Sequence, residues 1–302
     1  MTLVEGPCAV CGGTTFRPVY AATVEEDAAD PTAFYSSSRS RAGHLAVVRC
    51  VGCDLVMTNP RDSDATLART YAALEDRVYD SEDDNRTLTA RDHLAFVERH
   101  ARPGRLLDLG CATGTLVRVA SESAWDATGL DASAWAVARA RERCLRARFV
   151  HGLIQEAEFP PASFDVVTLW DTLEHTADPA AVLARARGWL RPEGWMFLNV
   201  PNWDSAIARL MGRHWALLLR EHLWYFSPRT LGALLERCGF ELVATRSNYV
   251  RFTLSTIAGR IGQYPGAAGR WVGALASRPV ARRLRLRFPI GEMNVAARRI
   301  GR

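Results

Sequence analysis

Two acidic residues and two glycines lie close together in an arrangement typical of nucleotide-binding proteins. The run Leu106 to Leu109 is apolar apart from Asp108, Gly110 and Gly114 follow it, and a second apolar run ends at Asp131. This order predicts a strand, a glycine turn, a helix and a second strand with an acid at its tip. The sequence therefore predicts a nucleotide-binding βαβ unit.

The same stretch lacks part of the pattern that binds a dinucleotide. Further glycines would be needed where the chain has Ala112 and Thr115. A ligand with a ribose and an amino-acid cation fits better, because Asp108 can face an ammonium group and Asp131 can accept hydrogen bonds from ribose hydroxyls. S-adenosylmethionine (SAM) has both features. A structural glycine turn in another α/β fold is the alternative.

Two histidines are candidate general bases. His175 ends the loop after a predicted strand, and His222 follows Glu221, just before the aromatic residues Trp224 and Tyr225. Methyl transfer to oxygen requires removal of a hydroxyl proton, and transfer to carbon requires a base beside a ketone or enol. We predict that His222 and Glu221 are catalytic, with His175 as the rival base. Structural histidines that bond backbone carbonyls are the alternative.

Four of the seven cysteines form two close pairs. Cys8 and Cys11 make the first pair, and Cys50 and Cys53 the second, a spacing that two knuckle turns around a tetrahedral zinc ion require. The pattern predicts a zinc ribbon with a projecting loop over Ala28 to Arg41 and a core separate from that of the rest of the chain. Redox pairs or disulfides are the alternative. The other three cysteines are predicted to be small buried hydrophobes.

Alternating strands and helices are predicted around these residues. In chain order they are strand 105–110, helix 114–123, strand 127–131, helix 133–144, strand 147–151, strand 164–170, helix 178–188 and strand 195–200. Such alternation predicts a parallel sheet with helices on both faces and a ligand at the carboxyl ends of the strands.

Helices are also predicted on either side of this region. Apolar spacing of three to four residues predicts connecting helices over Asp64 to Tyr79 and Thr87 to Arg99, and helical structure over Ser205 to Leu219. Strands Glu241 to Val250 and Gly291 to Ala297 would complete the sheet as an antiparallel pair.

A basic insertion is predicted between those last two strands, from Leu254 to Leu286. A solvated face, a substrate lid and a helix in contact with anionic lipid headgroups are its three interpretations.

Composition limits the class of protein. The chain has 302 residues, is 48% hydrophobic, and carries a formal net charge of +5 with all 38 basic residues being arginine. Its length allows a full α/β core and a small extra module. Such a skew towards arginine is weak evidence for a nucleic-acid partner. We expect a cytoplasmic protein without a membrane span.

From Arg105 to about Glu241 the chain resembles class I SAM-dependent methyltransferases. The segment 164–175 is similar to the fourth strand and its loop in that family, and the segment 190–195 to the turn into the fifth strand. Where many relatives have Gly-Asp after the third strand, this chain has Gly152-Leu153, which places the adenine contact near Leu153. The resemblance implies SAM contacts by the following residues: Asp108, Gly110, Cys111, Ala112, Gly114, Asp131, Ala132, Leu153, Trp170 and Asp171.

The cysteine pairs and the run Glu221-His222-Leu223-Trp224-Tyr225-Phe226 resemble zinc-ribbon sugar C-methyltransferases, in which the Glu-His pair serves the base role. A closer resemblance is to shorter ribbon-bearing methyltransferases of polysaccharide and natural-product pathways. Those proteins share a Tyr-x-x-Glu-x-x-x-Arg pattern, here Tyr79, Glu82 and Arg86. The resemblance implies a substrate site with those three residues, Trp224 and Tyr225.

The expected fold is α/β, a doubly wound Rossmann-like sheet with an N-terminal zinc-ribbon module. The expected divisions are the ribbon (1–60), connecting helices (61–103) and the SAM domain (104–302), with substrate-side insertions at 201–238 and 251–288. The leading hypothesis is methylation of a sugar, glycan or secondary-metabolite hydroxyl, with SAM and Zn²⁺ as cofactors. A sugar C-methyltransferase, a zinc-ribbon RNA methyltransferase and a non-enzymatic SAM-binding scaffold are the alternatives.

Overall fold

The described residues of the N-terminal part of the chain form five short strands. The computed structural model describes residues 2–24, 43–253 and 285–301. The strands are β1 Leu3–Val4, β2 Phe16–Tyr20, β3 Val47–Cys50, β4 Val56–Thr58 and β5 Arg61–Asp62. β2, β3 and β4 form an antiparallel sheet, and β5 pairs with β1. The loop predicted for Ala28 to Arg41 lies outside the described residues.

Three helices connect these strands to the main sheet. They are α1 Asp64–Ala72, α2 Arg77–Ser81 and α3 Asp83–Val97. The prediction of one helix from Asp64 to Tyr79 was wrong, because the chain turns after α1 and α2 begins anew where the Asp76 carboxylate accepts a hydrogen bond from the Tyr79 amide. An N-cap of this kind satisfies a backbone donor that would otherwise be free.

The alternating region follows the predicted order closely. Its elements are β6 Arg105–Leu109, α4 Thr115–Glu122, β7 Asp126–Asp131, α5 Ala134–Arg143, β8 Arg148–His151, β9 Phe164–Trp170, α6 Pro179–Trp189 and β10 Leu190–Pro201. The elements after them are α7 Ala206–Met211, β11 Trp224–Tyr225, α8 Pro228–Arg237, β12 Phe240–Ser247, β13 Val250–Thr253, β14 Arg285–Phe288 and β15 Glu292–Arg299.

Seven of these strands form one mixed sheet in the order β12-β15-β10-β9-β6-β7-β8. The strands from β6 to β10 are parallel, whereas β15 runs antiparallel to both β10 and β12. The central Rossmann-like sheet and its closing antiparallel pair are therefore confirmed.

Helices cover both faces of this sheet. Adjacent residues on a strand belong to different hydrophobic cores, as Leu106 and Leu107 do on β6. One core also contains buried residues of α3, α4 and α5, and the other contains buried residues of α6 and α8. Successive side chains on a strand point to opposite faces of the sheet, so each core lies between one face and the helices that cover it.

The segment after β10 is less helical than its pattern predicts. The prediction of helix from Ser205 to Leu219 was wrong beyond Met211, because Gly212 has φ +50° and ends α7 there. Residues 254–284 of the predicted insertion lie outside the described part of the chain. Within the described part of the chain, every helix is too short or too polar to span a bilayer.

The N-terminal strands do not have a separate core, contrary to expectation. Cys8, Val10, Cys50, Leu55 and Met57 belong to the same hydrophobic cluster as residues of the main sheet, α6 and α8. In addition, β11 pairs with β4, so that a strand from the C-terminal half completes the N-terminal sheet. A module this small cannot bury enough apolar surface alone, and packing against the larger core supplies the rest.

Candidate active site

A cavity of about 1590 Å³ lies beyond the carboxyl ends of β6, β7, β8 and β9. The loops after these strands form one wall, while α1 to α3 and residues 211–222 form others. Single-ligand pockets usually have volumes of about 300–1000 Å³. The cavity is therefore large enough for two ligands side by side.

Asp131 is held at the tip of β7 by two backbone amides. The Ala112 amide donates to Oδ2 and the Ser133 amide to Oδ1, both at 2.8 Å. Burial raises the pKa of Asp131, and these two hydrogen bonds lower it. Each carboxylate oxygen keeps a further lone pair, so a ribose with two hydroxyl donors fits this group.

Asp108 is a second buried acid in the same wall. Thr168 Oγ1 donates to its Oδ1 at 2.6 Å, and the residue is 3% exposed. Burial raises the pKa of Asp108 to about 7. A ligand ammonium group beside Asp108 would favour the ionised form and lower that pKa, so the site fits the amino-acid end of SAM.

Gly110 and Gly114 have different roles. Both have positive φ, +76° and +77°, but only Gly110 lines the cavity. A Cβ on Gly114 would lie 2.7 Å from the Phe149 ring and 2.8 Å from Ala140 Cβ. Gly114, which is predicted to contact the cofactor, allows α4, α5 and β8 to pack closely.

The other predicted SAM residues all line the cavity. They are Cys111, Ala112, Ala132, Leu153, Trp170 and Asp171. Asp171 has φ +50° and accepts a hydrogen bond from the Asn199 amide group.

Tyr79, Glu82 and Arg86 form a cluster near the acids Asp108 and Asp171. The Arg86 guanidinium carbon lies 3.0 Å from the centroid of the Tyr79 ring, and Arg86 Nε donates to the Tyr79 carbonyl oxygen at 3.0 Å. Burial raises the pKa of Tyr79, and Asp171 and Asp108 raise it further, while Arg86 lowers it. All three members line the cavity.

His175 and His222 lie together in another part of the wall. Their ring centroids are 4.8 Å apart. His175 Nδ1 is 3.0 Å from the Glu221 carbonyl oxygen, and His222 Nδ1 is 2.8 Å from the Leu217 carbonyl oxygen. A carbonyl oxygen can only accept, so each Nδ1 carries the proton and each Nε2 keeps its lone pair.

Burial keeps both imidazoles neutral at pH 7. It lowers the pKa of His175 to about 4. Burial and the neighbouring His175 lower the pKa of His222 well below its usual range. Both rings are therefore available as proton acceptors at neutral pH.

Two glutamates accompany the histidines. Burial raises the pKa of Glu221 to about 8 and the pKa of Glu174 well above its usual range. Glu174 Oε1 lies 4.0 Å from His175 Nε2. Ligand atoms of Glu174, His175 and His222 lie within 4.8 Å of one another, close enough to hold a metal ion.

Trp224 and Tyr225 lie elsewhere, and the prediction that they contact substrate is corrected. Neither is among the residues that line the cavity. Trp224 Nε1 donates to the Thr176 carbonyl oxygen at 2.7 Å, and the Tyr225 hydroxyl donates to the Leu219 carbonyl oxygen at 3.3 Å. Both side chains are buried in hydrophobic clusters because β11 pairs with β4.

Sequence reasoning missed His93, which also lines the cavity. Its ring stacks on Trp170 with centroids 3.9 Å apart, and burial lowers its pKa to about 4. The available signal was a histidine on the buried face of α3, beside Ala90, Leu94 and Val97. On its own, that signal does not separate a cavity residue from a core residue.

A network of amides and carboxylates next to His93 was also missed. Asn248 Nδ2 and Asn199 Nδ2 donate to Glu292 Oε2 at 2.8 Å and 3.2 Å, and Asn199 also donates to Asp171. Burial raises the pKa of Glu292 to about 8. Asn248, Glu292 and Asp171 line the cavity, which gives it a second polar wall.

The four predicted zinc ligands converge in the N-terminal module. Cys8 Sγ lies 3.3 Å from Cys53 Sγ, and Cys11 Sγ lies 3.5 Å from Cys50 Sγ. All four sulfurs lie within 4.8 Å of one another. Sulfurs that share a tetrahedral zinc ion are roughly 3.8 Å apart, from a zinc–sulfur distance of about 2.3 Å. The donor set therefore fits zinc.

The sheet order defines a Rossmann-like fold, and two buried acids lie in the cavity wall at the carboxyl ends of β6 and β7. Residues 81–245, more than half of the chain, match the model of the methyltransferase domain family. The chain therefore belongs to this family, and the protein is a SAM-dependent methyltransferase. The matched range contains His175, Glu221 and His222, but not the four cysteines.

Curated relatives include two ubiquinone biosynthesis O-methyltransferases. The Xanthomonas campestris pv. campestris protein is 31% identical over 157 residues, which cover 48% of this chain and 66% of that protein. The Albidiferax ferrireducens protein is 29% identical over 207 residues, which cover 63% of this chain and 82% of that protein.

One solved structure supports the fold. It is a complex of the Haloferax volcanii Trm112 methyltransferase activator with a methyltransferase, and the similarity covers 80% of this chain and 99% of that chain. The TM-score is 0.55 at 18% sequence identity, a similarity that concerns the fold alone.

Proposed function

We propose that the protein methylates a hydroxyl group of a small molecule, a sugar, glycan or secondary metabolite, with the His175–His222 pair as general base. The observation that carries this proposal is the geometry of the pair. Both Nδ1 atoms lie at hydrogen-bond distance from backbone carbonyls, which leaves a neutral Nε2 lone pair on each of two residues that line the cavity. A general base needs this combination of fixed orientation and free lone pair.

When bound, SAM supplies an electrophilic methyl group. Residues of the chain would bind both ligands and accept the proton. Asp131 would bind the ribose hydroxyls and Asp108 the ammonium group, and the bound ligands would displace water from the cavity. His222, or its rival His175, would take the proton of the acceptor hydroxyl as the oxygen–methyl bond forms and the sulfur–methyl bond breaks. Imidazolium formed there would be stabilised by Glu174 or Glu221 once ionised.

Two facts support a small acceptor and an oxygen nucleophile. The cavity volume of about 1590 Å³ accommodates SAM and a second ligand of similar size. The curated relatives carry names that specify O-methylation. Transfer to the carbon of a keto sugar is the second candidate, since the same base would serve it, and the Glu221-His222 sequence favours it.

The test is to incubate the purified protein with methyl-¹³C SAM and an extract of the host cells. The extract is then separated into RNA, protein and small-molecule fractions. We expect label in a small molecule, with a carbon chemical shift that identifies a methyl ether. Label in RNA, or a methyl group bonded to carbon, would overturn the proposed acceptor class. A His222→Ala variant in parallel shows whether the transfer uses this site.

We also propose that Cys8, Cys11, Cys50 and Cys53 bind one zinc ion per chain. Bound zinc would fix both knuckle turns and so stabilise the core that the module shares with α6 and α8. Elemental analysis should find one zinc per wild-type chain and none in a Cys50→Ser/Cys53→Ser variant. Undiminished zinc in that variant would refute the site. A Cys144→Ser variant is the control, because Cys144 lies far along the chain in another hydrophobic cluster.

A further inference from the structure

The segment from Arg220 to Tyr225, which carries His222, is attached to the N-terminal module, here the strands β1 to β5. We propose that Asp62 and Arg220 are positioning residues for the His175–His222 pair, and that the N-terminal module is the support that sets the orientation of both imidazoles. The inference rests on the proposed function for the role of the histidines. Its test does not require an acceptor.

The first attachment is through the backbone on the C-terminal side of His222. Thr58 Oγ1 donates to the His222 carbonyl oxygen at 2.8 Å, and the Thr58 amide donates to the Leu223 carbonyl oxygen at 2.9 Å. The next two residues, Trp224 and Tyr225, continue this attachment as β11 paired with β4. Displacement of β4 would therefore move the His222 backbone.

The second attachment is an ion pair two residues before His222. Arg220 Nε donates to Asp62 Oδ2 at 2.9 Å, and Arg220 Nη2 donates to Asp62 Oδ1 at 2.8 Å. Both side chains are 0% exposed. Asp62 is itself fixed by the pairing of β5 with β1. Two parallel hydrogen bonds from a planar guanidinium fix direction as well as distance.

The same segment also holds His175. The Leu223 amide donates to the Glu174 carbonyl oxygen at 2.8 Å. His175 Nδ1 bonds the Glu221 carbonyl oxygen at 3.0 Å. The backbone of this one segment thus contacts the N-terminal module on one side and the His175 turn on the other. A shift of the segment would reorient both imidazoles.

The chemistry of the pair favours an orienting role over a stabilising one. Buried ion pairs often stabilise a fold no more than apolar residues of similar volume, because desolvation of both charges offsets their attraction. A hydrophobic pair at this place would pack but would not fix the direction of the segment. A bidentate pair two residues before His222 would fix the direction of the backbone there, and so the orientation of the His222 ring.

The test uses an Asp62→Leu/Arg220→Met double variant, which removes both charges of the ion pair together. Asp62→Asn is the second variant, and Asp54→Asn is the matched control. Asp54 forms ion pairs with Arg17 and Arg229, but its side chain is 43% exposed. Three readouts are needed: histidine ring signals by ¹⁵N NMR, amide exchange of residues 220–226, and SAM affinity by calorimetry.

We expect amides 222 and 223 of the double variant to exchange at least about tenfold faster than in the wild type, while β6 and β7 amides are unchanged. The ring signals of His175 and His222 should move away from the Nδ1-protonated pattern, and SAM affinity should stay within about threefold. Asp54→Asn should match the wild type in all three readouts.

Unchanged ring signals and exchange in the folded double variant would overturn the proposal. Faster exchange throughout β6 and β7 would also overturn it, because the pair would then contribute only to general stability. Should Asp62→Asn fail to fold, the double variant alone decides. Because no readout involves methyl transfer, a wrong acceptor class would leave these results interpretable.

Discussion

The cofactor half and the acceptor half of the cavity are built in different ways. The cofactor half is built mainly by β6, β7 and the segments that follow them, where Asp131 accepts from the Ala112 amide and Asp108 accepts from Thr168 on the neighbouring β9. The acceptor half joins His175 to His222, 47 positions further along the chain, and the His222 carbonyl oxygen accepts a hydrogen bond from Thr58 of β4. On the proposed assignment, a local motif determines cofactor binding, whereas long-range packing determines the arrangement of the base. The two halves should fail separately when mutated.

The largest expected effect is on turnover. His222→Ala should lower kcat about 10²-fold or more, the loss typical of a general base, with SAM affinity intact. The rate would be measured as labelled methyl transferred to the acceptor fraction. His175→Ala is the comparison, and a loss confined to that variant would move the base to His175. Normal turnover in both variants would mean that the reaction needs no histidine base.

Gly114→Ala tests the packing role that the structure gives this glycine. The added Cβ would contact Phe149 and Ala140 at 2.7–2.8 Å, at φ +77°. We expect a loss of about 2–3 kcal/mol in the free energy of unfolding, from overpacking and left-handed strain. Urea denaturation measures it. Gly188→Ala is the control, because its Cβ would meet nothing within 4 Å, and it should be neutral or slightly stabilising.

If Gly114→Ala instead lowered SAM affinity without changing the free energy of unfolding, that result would support a direct contact between Gly114 and the cofactor.

Asp131→Ala addresses the cofactor half directly. We expect SAM affinity to fall by about 1–3 kcal/mol, because hydroxyls in a dry site lose a charged acceptor. Calorimetry on the folded variant is the measurement. Asp126→Ala, at the far end of the same strand and largely exposed, is the control. An unchanged affinity for Asp131→Ala would mean that another group binds the ribose.

The smallest expected effect is a pH dependence of SAM binding. Asp108 has a raised pKa of about 7 in the free protein, mainly from burial. The ammonium group of SAM favours the carboxylate, so below pH 7 a proton must be released on binding. Affinity should therefore fall roughly tenfold between pH 8 and pH 6. Asp108→Asn should bind weakly and lose most of this dependence; a wild-type affinity that is constant over that range would contradict the assignment.

The sequence predicted the sheet and the placement of the candidate cofactor residues because their signals are local. The alternation from strand 105–110 to strand 195–200 fixes a parallel sheet, and Asp108, Gly110 and Asp131 then fall at one edge of it by topology alone. The packing role of Gly114 could not be predicted, because a cofactor contact and a close packing contact both favour glycine.

The acceptor half could be predicted only as a set of candidate residues. His175 and His222 were identified as alternatives, but their contact depends on how segment 220–225 lies across the turn after β9. Trp224 and Tyr225 were misplaced because β11 pairs with a strand about 170 positions earlier. His93, Asn248 and Glu292 carried no motif, since a buried polar network is recognisable only after the strands are assembled.

The SAM affinity of a His175→Ala/His222→Ala double variant is the most direct test of the separation between the two halves. Calorimetry needs no acceptor, and both residues are assigned to the acceptor half of the cavity. We predict a dissociation constant within about threefold of the wild-type value, together with loss of methyl transfer. A dissociation constant more than about tenfold weaker, a cost of about 1.4 kcal/mol, in a folded variant would show that the histidines belong to the cofactor site and would contradict the account.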